Sequence, residues 1–144
     1  MKIKSTDELN SILKKNVPIE QYLTENRESF LKLSFKDAIN AVFNKKNMGV
    51  SEWANKSNVD RSYIHHILSG KQKNPGRDTL IKLCIGMKAD ERETRALLLA
   101  LKESPLYVKD PRDSIILYGI RHKLTLTEVE ELLYDHKQHT LSRS

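Results

Sequence analysis

The sequence has few of the features that mark secreted or membrane-spanning proteins. Its 144 residues include one cysteine, five glycines and four prolines, and aromatic residues make up 6% of the chain. A single cysteine, Cys84, cannot form an internal disulfide, which excludes a disulfide-stapled secreted scaffold. The longest apolar run, residues 96–101, is too short to cross a bilayer, and the N-terminus lacks the apolar stretch of a signal peptide. We therefore expect a cytoplasmic protein that does not enter a membrane.

The sequence also lacks the common signatures of catalysis. The five glycines are scattered, so no glycine-rich loop could cradle a phosphate, and neither His-Glu-x-x-His nor Cys-x-x-Cys occurs. No serine lies in a nucleophile elbow. The length fits one domain, which excludes a large multidomain enzyme. We expect no catalytic residues, no cofactor and no metal site.

What the chain does have is a localised excess of positive charge. Lys and Arg number 25 against 19 Asp and Glu, a net charge of +6. Residues 44–88 contain nine basic and three acidic residues, whereas residues 89–144 contain nine and ten. The middle third therefore holds the whole excess, and such a field attracts a polyanion such as DNA. A solvated basic face would have the same balance, so charge alone does not decide the function.

Hydrophobic periodicity predicts an all-α fold. Apolar residues recur at spacings of three and four along the chain, and the alternation typical of strands does not persist over any window. Two short helices are predicted within an N-terminal extension, residues 1–33. A central helical domain is predicted over residues 34–102. A C-terminal helical hairpin is predicted over residues 103–144, either packing on that domain or forming a dimer contact, and its tail from His139 is expected to be loose.

Start and stop signals place the individual helices. Ser34 can cap one helix, which ends at Asn47 and Gly49, and a short helix covers about residues 50–57. Asn58 tolerates the left-handed conformation needed for a reversal, and Asp60 can cap a helix that stops at Gly70. Further along the chain, one helix is predicted from the apolar stripe 80–87, and another is predicted over 91–102, opened by an Asp90–Glu93 capping box. The last two helices are predicted to start at Asp110-Pro111 and at Thr127. The 91–102 helix is apolar almost all round, so partners are expected on both of its sides.

Residues 48–71 are the segment that is most informative about function. They are predicted to form two short helices joined by a tight turn. Ile64 and Ile67 fall on one side of the second helix, and the opposite side is hydrophilic. A narrow polar face on a helix that is supported from behind can enter the major groove of B-DNA, where base edges present distinct donors and acceptors.

The pattern of this segment resembles that of the Cro/lambda-repressor-like (Xre) helix-turn-helix family. The matching positions are Met48, Trp53-Ala54, Asn58-Val59, Arg61-Ser62, Ile64, Ile67 and Ser69-Gly70-Lys71, followed by a proline-containing loop and a leucine-rich helix. The resemblance covers roughly residues 34–101 and implies a five-helix DNA-binding domain. The flanking sequences are similar to those of Xre-type regulators of Gram-positive bacteria, in Ser104–Tyr107, Arg112–Tyr118 and Leu132–Tyr134.

The resemblance also implies residue roles. Base contacts would come from Arg61, Ser62, His65 and His66, with Tyr63 at the margin, and phosphate contacts from Ser69, Lys71, Gln72 and Lys73, with Lys45 and Lys46 adding to them. A guanidinium can bind O6 and N7 of guanine together, so Arg61 is the main candidate. The family usually has Ser or Thr at the position of Gly49, Gln at that of Val50 and Gly at that of Asn58. The differences at Gly49 and Val50 are expected to weaken the contact of the predicted helix 50–57 with the DNA backbone.

Other interpretations are compatible with the same residues. Arg61 could instead pair with Asp60 or Asp78 on the surface, and His65 and His66 could simply be solvated. Cys84 and Trp53 are expected in the core. The sequence predicts a sequence-specific regulator of double-stranded DNA that pairs as a homodimer. The alternative is a protein-interaction module, antitoxin-like or adaptor, that binds a protein partner through its C-terminal region or the N-terminal helices and binds DNA weakly or not at all.

Overall fold

The computed structural model describes residues 34–142, and over this range the predicted all-α fold is confirmed. These residues form seven helices and no strand. The helices are α1 (Phe35–Asn44), α2 (Val50–Ser57), α3 (Arg61–Ser69), α4 (Arg77–Gly86), α5 (Glu91–Ala100), α6 (Pro111–Arg121) and α7 (Leu126–Asp135). The two helices predicted before residue 34, and the extension that they form, lie outside the described residues. None of the helices within 34–142 combines the length and apolar character that crossing a membrane requires.

Side-chain caps fix the starts of the C-terminal helices. The predicted capping box is present at α5, where Asp90 Oδ1 accepts from the Glu93 N–H at 2.7 Å and Glu93 Oε1 accepts from the Asp90 N–H at 2.9 Å. Asp110 caps α6 ahead of Pro111, as predicted. The start predicted for α7 is wrong by a short step, because Thr125 forms the capping box and the helix begins at Leu126. The spacing of Thr125 and Glu128 is the capping-box pattern, so the sequence did contain the signal for this earlier start.

The ends of these helices share a feature that the sequence did not reveal. A lysine in the left-handed conformation follows α4, α5, α6 and α7, with φ between 54° and 60°: Lys88, Lys102, Lys123 and Lys137. After each lysine the next N–H donates to a carbonyl five residues earlier, as from Ala89 to Cys84 at 2.9 Å. This is the Schellman arrangement, which usually uses glycine. The four helices therefore stop without a glycine signal.

The core is built around α4, which packs against α2, α5 and α7. Cys84 and Trp53 are fully buried, as predicted. Trp53 stacks on Phe43 with ring centroids 4.2 Å apart, and its Nε1 donates to the carbonyl oxygen of Leu83 at 2.9 Å. This bond links α2 to α4 and satisfies the indole N–H inside the core.

The α6–α7 hairpin packs on the same core. Ile116, Val129 and Leu133 are fully buried and belong to one cluster with Ile39 and the α4 residues. Of the two roles predicted for the hairpin, packing on the preceding helices is therefore present, and a contact with a second copy stays a prediction.

The prediction of a loose tail is wrong for residues 139–142. Leu141 is only 4% exposed and lies in the core. The carboxylate of Glu130 accepts from the N–H groups of Leu141 and Ser142, at 2.7 and 2.8 Å. Arg112 Nε donates to the carbonyl of His139 at 2.7 Å. Two charged side chains and one apolar anchor thus dock the tail, and no local sequence pattern announces such contacts.

The expectation of partners on both sides of α5 is confirmed in part, because α5 packs against α1, α4 and α6. The helix ends at Ala100, short of the predicted residue 102, and Leu99 is 49% exposed. Only Thr94, Leu97 and Leu98 of α5 are buried. The solvent side of α5 therefore combines the apolar Ala96 and Leu99 with the charged Arg92 and Arg95.

Candidate nucleic-acid interface

The α2–turn–α3 unit has the two-helix geometry that the sequence predicted. The chain reverses at Asn58, which is left-handed with φ 52° and ψ 44°, and the Val59 N–H donates to the carbonyl of Ala54 at 3.2 Å. Val59 packs partly on the core. Asp60 occupies the N-cap position of α3, but its side chain makes no capping bond, contrary to the expectation from sequence.

The inner side of α3 is fixed from two directions. Ile64 and Ile67 are fully buried, and Leu68 is half-buried. From α1, Asn40 Nδ2 donates to the carbonyl of Leu68 at 3.0 Å. Sequence reasoning missed Asn40, because this bond joins residues 28 positions apart and depends on how α1 crosses α3. The helix is thus supported by apolar packing and by one polar tie at its C-terminal end.

The outer side of α3 presents the hydrophilic face that was predicted. Arg61, Ser62, His65, His66 and Ser69 are all exposed. Tyr63 is half-buried at the edge, and burial raises the pKa of its hydroxyl above the usual value. This side offers guanidinium, imidazole and hydroxyl groups, which are the donors and acceptors used on base edges.

Arg61 does not form the ion pairs that were considered for it. Its Nη1 donates to Ser51 Oγ at 3.2 Å, which links the first turns of α3 and α2. Asp78 instead binds Arg112, with 3.0 Å between Oδ2 and Nη2. Among the ion pairs between described residues, none includes Arg61, so its charge is not cancelled by a carboxylate.

The predicted phosphate-binding residues are grouped where α3 ends. Gly70 is left-handed with φ 84°, and the exposed Lys71 and Lys73 follow it. Ser69 Oγ accepts from the Lys71 N–H at 3.3 Å, and Gln72 Oε1 accepts from the Asn74 N–H at 3.1 Å. These bonds order the loop and leave the Gln72 amide nitrogen as a donor. Neither lysine takes part in an ion pair within residues 34–142.

Lys45 and Lys46 are engaged elsewhere. Their Nζ atoms lie 3.2 and 2.7 Å from the Glu93 carboxylate, and the Lys46 side chain is only 18% exposed. Burial acts to raise the pKa of Glu93, but hydrogen bonds from Lys46, the Asp90 N–H and Lys45 outweigh it and lower the pKa below its usual value. Phosphate binding by these lysines stays a prediction, and it would require a phosphate to replace the carboxylate.

The beginning of α2 offers little to a polyanion. Gly49 occupies its N-cap without a side-chain bond, and Val50 packs partly on the core. Lys56 is paired with Glu52 one turn earlier, at 2.8 Å. Among the ion pairs between described residues, none includes a cation of α3 or its following loop, or Lys36 of α1, whose side chain lies beside Gly70.

Cys84 lies apart from this surface, inside the core. Burial raises the pKa of the Cys84 thiol to about 12, so it stays protonated and acts as a core residue. Within residues 34–142, no three His, Cys, Asp or Glu side chains are grouped as metal ligands would be.

Comparison with protein family models, curated proteins and solved structures finds no match.

Proposed function

We propose that this protein is a sequence-specific double-stranded DNA-binding transcriptional regulator of the Cro/lambda-repressor-like (Xre) type. In this proposal α1–α5 form the DNA-binding domain, α2 and α3 are the helix-turn-helix, and α3 enters the major groove. The observation that carries it is the exposed polar side of α3 on a helix whose opposite side is fixed by Ile64, Ile67 and Asn40. A rigid support is what accurate base contact requires.

Arg61 is proposed as the main base-reading residue. It lies in the first turn of α3, and the N-terminal part of a recognition helix is the part that contacts base edges. A bidentate contact from its guanidinium to guanine would contribute about 1–3 kcal/mol of discrimination. Ser62, His65 and His66 extend the same face, and Tyr63 lies at its margin.

Phosphate contacts are assigned to the end of α3 and the loop after it. Ser69, Lys71, Gln72 and Lys73 would fix the register of α3 on the duplex without reading sequence. Lys71 and Lys73 are exposed and are absent from the ion pairs of residues 34–142, so they can release counterions from DNA. Lys45 would add a weaker contact. One recognition helix covers few base pairs, so we also propose a homodimer on half-sites about 34 Å apart.

The test is a selection of genomic fragments at physiological salt, followed by footprinting and two substitutions. Arg61→Ala should relax sequence preference, because it removes a base contact. Lys71→Ala should weaken binding to every sequence and reduce the slope of log affinity against log salt by about one. Lys109→Ala is the matched control, since it removes an exposed lysine outside α2 and α3 and should change neither quantity.

A specific observation supports a second candidate, a protein-interaction module. The exposed large hydrophobic residues of the described chain all follow α4: Leu99, Tyr107, Val108, Tyr118 and Tyr134. Selection that enriches no DNA site would contradict the regulator and favour this alternative. A footprint with a single half-site or a direct repeat would contradict the two-fold dimer.

A further inference from the structure

A groove lies between α5, the segment 105–108 and the middle of α6, and none of its lining residues belongs to α2 or α3. Its volume is about 310 Å³, at the lower end of the range for binding pockets. Leu106 and the 59% exposed Val108 supply its accessible apolar wall, and the buried side chains of Leu98 and Leu117 lie beneath them. This space can accept one or two large apolar side chains.

The segment that borders the groove is anchored by hydrogen bonds within the protein. Arg77 Nε donates to the carbonyl of Ser104 at 3.0 Å, and its Nη2 lies 3.1 Å from Asp113 Oδ2. The same carboxylate oxygen accepts from the Tyr107 N–H at 3.0 Å. The segment beside the groove is therefore anchored by a partly buried ion pair. A ligand would not have to order it, which reduces the entropic cost of binding.

Two arginines give the rim of the groove a positive charge. Arg92 and Arg95 line it from α5, both are exposed, and the ion pairs between described residues include neither of them. The one carboxylate among the lining residues belongs to Glu91, whose Oε1 lies 2.6 Å from Nη2 of Arg121. The rim thus combines two uncompensated guanidinium groups with an apolar wall.

We propose that this groove binds an acidic peptide segment of a partner protein, with a large apolar side chain packed against Leu106 and Val108 and flanking carboxylates bound by Arg92 and Arg95. Arginine is suited to such carboxylates, because its planar fork can bind both oxygens. In a two-fold contact a second copy fits less well, since it would bring its own Arg92 and Arg95 to a groove whose one carboxylate, Glu91, is already paired with Arg121. A nucleic acid would offer phosphates but no aliphatic side chain for the apolar wall.

This inference goes beyond DNA binding and does not depend on it, because no lining residue of the groove belongs to α2 or α3. The two surfaces can therefore be tested separately in the full chain. Arg92→Gln with Arg95→Gln removes the charge of the rim and should leave operator binding unchanged. Loss of peptide binding with operator binding retained would identify the groove as an independent site.

The experiment uses display of random peptides of about 12 residues against the full-length protein, followed by fluorescence anisotropy with the enriched peptides. We expect enrichment of peptides with a Leu, Ile, Phe or Met flanked by Asp or Glu. The double substitution Arg92→Gln and Arg95→Gln should weaken their binding at least about tenfold. Val108→Ser should weaken it several-fold by making the wall polar. The matched control, Lys123→Gln with Lys137→Gln, changes the net charge equally and should have no effect.

Three results would overturn the proposal. The first is no enrichment of acidic, apolar peptides, and the second is binding that the arginine substitutions leave unchanged while circular dichroism shows the variant folded. The third is sedimentation that shows a dimer for the natural protein and a monomer for the Arg92→Gln, Arg95→Gln variant. That result would make a second copy of the chain the occupant of the groove.

Discussion

Glu93 is the residue at which a helix cap and a tertiary ion pair coincide. Its carboxylate accepts from the Asp90 N–H and binds Lys45 and Lys46, and its side chain is 14% exposed. Glu93→Gln keeps the capping geometry but removes the charge, so we expect a loss of about 1 kcal/mol in the free energy of unfolding at neutral pH. The measurement is urea denaturation at a series of pH values.

The pH dependence of this loss follows from the lowered pKa of Glu93. Because the pKa in the folded protein lies below the unfolded value of about 4.3, the charged form stabilises the protein fully above that value. The contribution disappears as pH falls through the folded pKa. The natural protein and the Glu93→Gln variant should therefore converge in stability in acid, and a difference that stayed constant down to that range would contradict the assignment.

At the scale of single residues, the sequence predicts those conformations and hydrogen bonds that depend on neighbours in the chain. The left-handed Asn58 and the Asp90–Glu93 box could be predicted, since each depends on a few adjacent residues. The bond from Asn40 to Leu68 and the ion pairs of Glu93 could not, because they join residues far apart in the chain. For the candidate site, the local sequence pattern therefore predicted the exposed side of α3. It did not predict the hydrogen bond from Asn40 of α1 or the ion pairs of Lys45 and Lys46 with Glu93.

The contact between helices α2 and α4 depends on Gly86. A Cβ added there would lie 2.8 Å from the backbone nitrogen of Ser57 and 2.6 Å from its Cβ, and neither atom can move without shifting α2. We expect Gly86→Ala to lower the free energy of unfolding by about 1–3 kcal/mol, although alanine is the better helix former by about 1 kcal/mol. Urea unfolding followed by the fluorescence of Trp53 measures this directly.

Gly76→Ala provides the matched control for this contact. A Cβ at Gly76 would meet nothing within 4 Å, so a change below about 1 kcal/mol is expected from its N-cap position. Equal losses in the two variants would show that backbone freedom, and not the close approach of α2 to α4, explains the effect. Helix periodicity predicts that α4 exists, but it does not predict which glycine lies at a crossing.

Helix ends were the least predictable feature at the scale of elements. Periodicity and N-caps located every described helix, but the left-handed residues after α4–α7 are lysines, which carry no stop signal of their own. A left-handed L-residue other than glycine is disfavoured by about 1–2 kcal/mol. The surrounding packing must therefore end these helices. The same limit explains why the predicted end of α5, at residue 102, lies two residues beyond its actual end at Ala100.

At the scale of the whole molecule, the described helices share one core. The sequence predicted the hairpin, but hydrophobic stripes alone could not decide whether it covers this core or a second copy. In the structure Leu133 and Leu141 bury themselves among the same residues as Leu80 and Ile81. The C-terminal helices therefore stabilise the domain that positions α3, and their unfolding should be coupled to it.

Arg112 tests this coupling, because it joins α6 both to α4 and to the tail. Its Nη atoms bind the two Asp78 oxygens at 3.1 and 3.0 Å, and its Nε donates to the carbonyl of His139. Lysine keeps the charge but cannot make these parallel bonds, so Arg112→Lys should lower the free energy of unfolding by about 1–2 kcal/mol. If the core is shared, Arg112→Lys should lower the urea midpoint reported by Trp53 in α2 and also reduce hydrogen-exchange protection in α7. Arg95→Lys, which changes an exposed side chain, is the control and should alter neither measurement. A hairpin that opened alone would leave the Trp53 midpoint unchanged while α7 lost protection, and that outcome would show that the C-terminal helices are an independent unit.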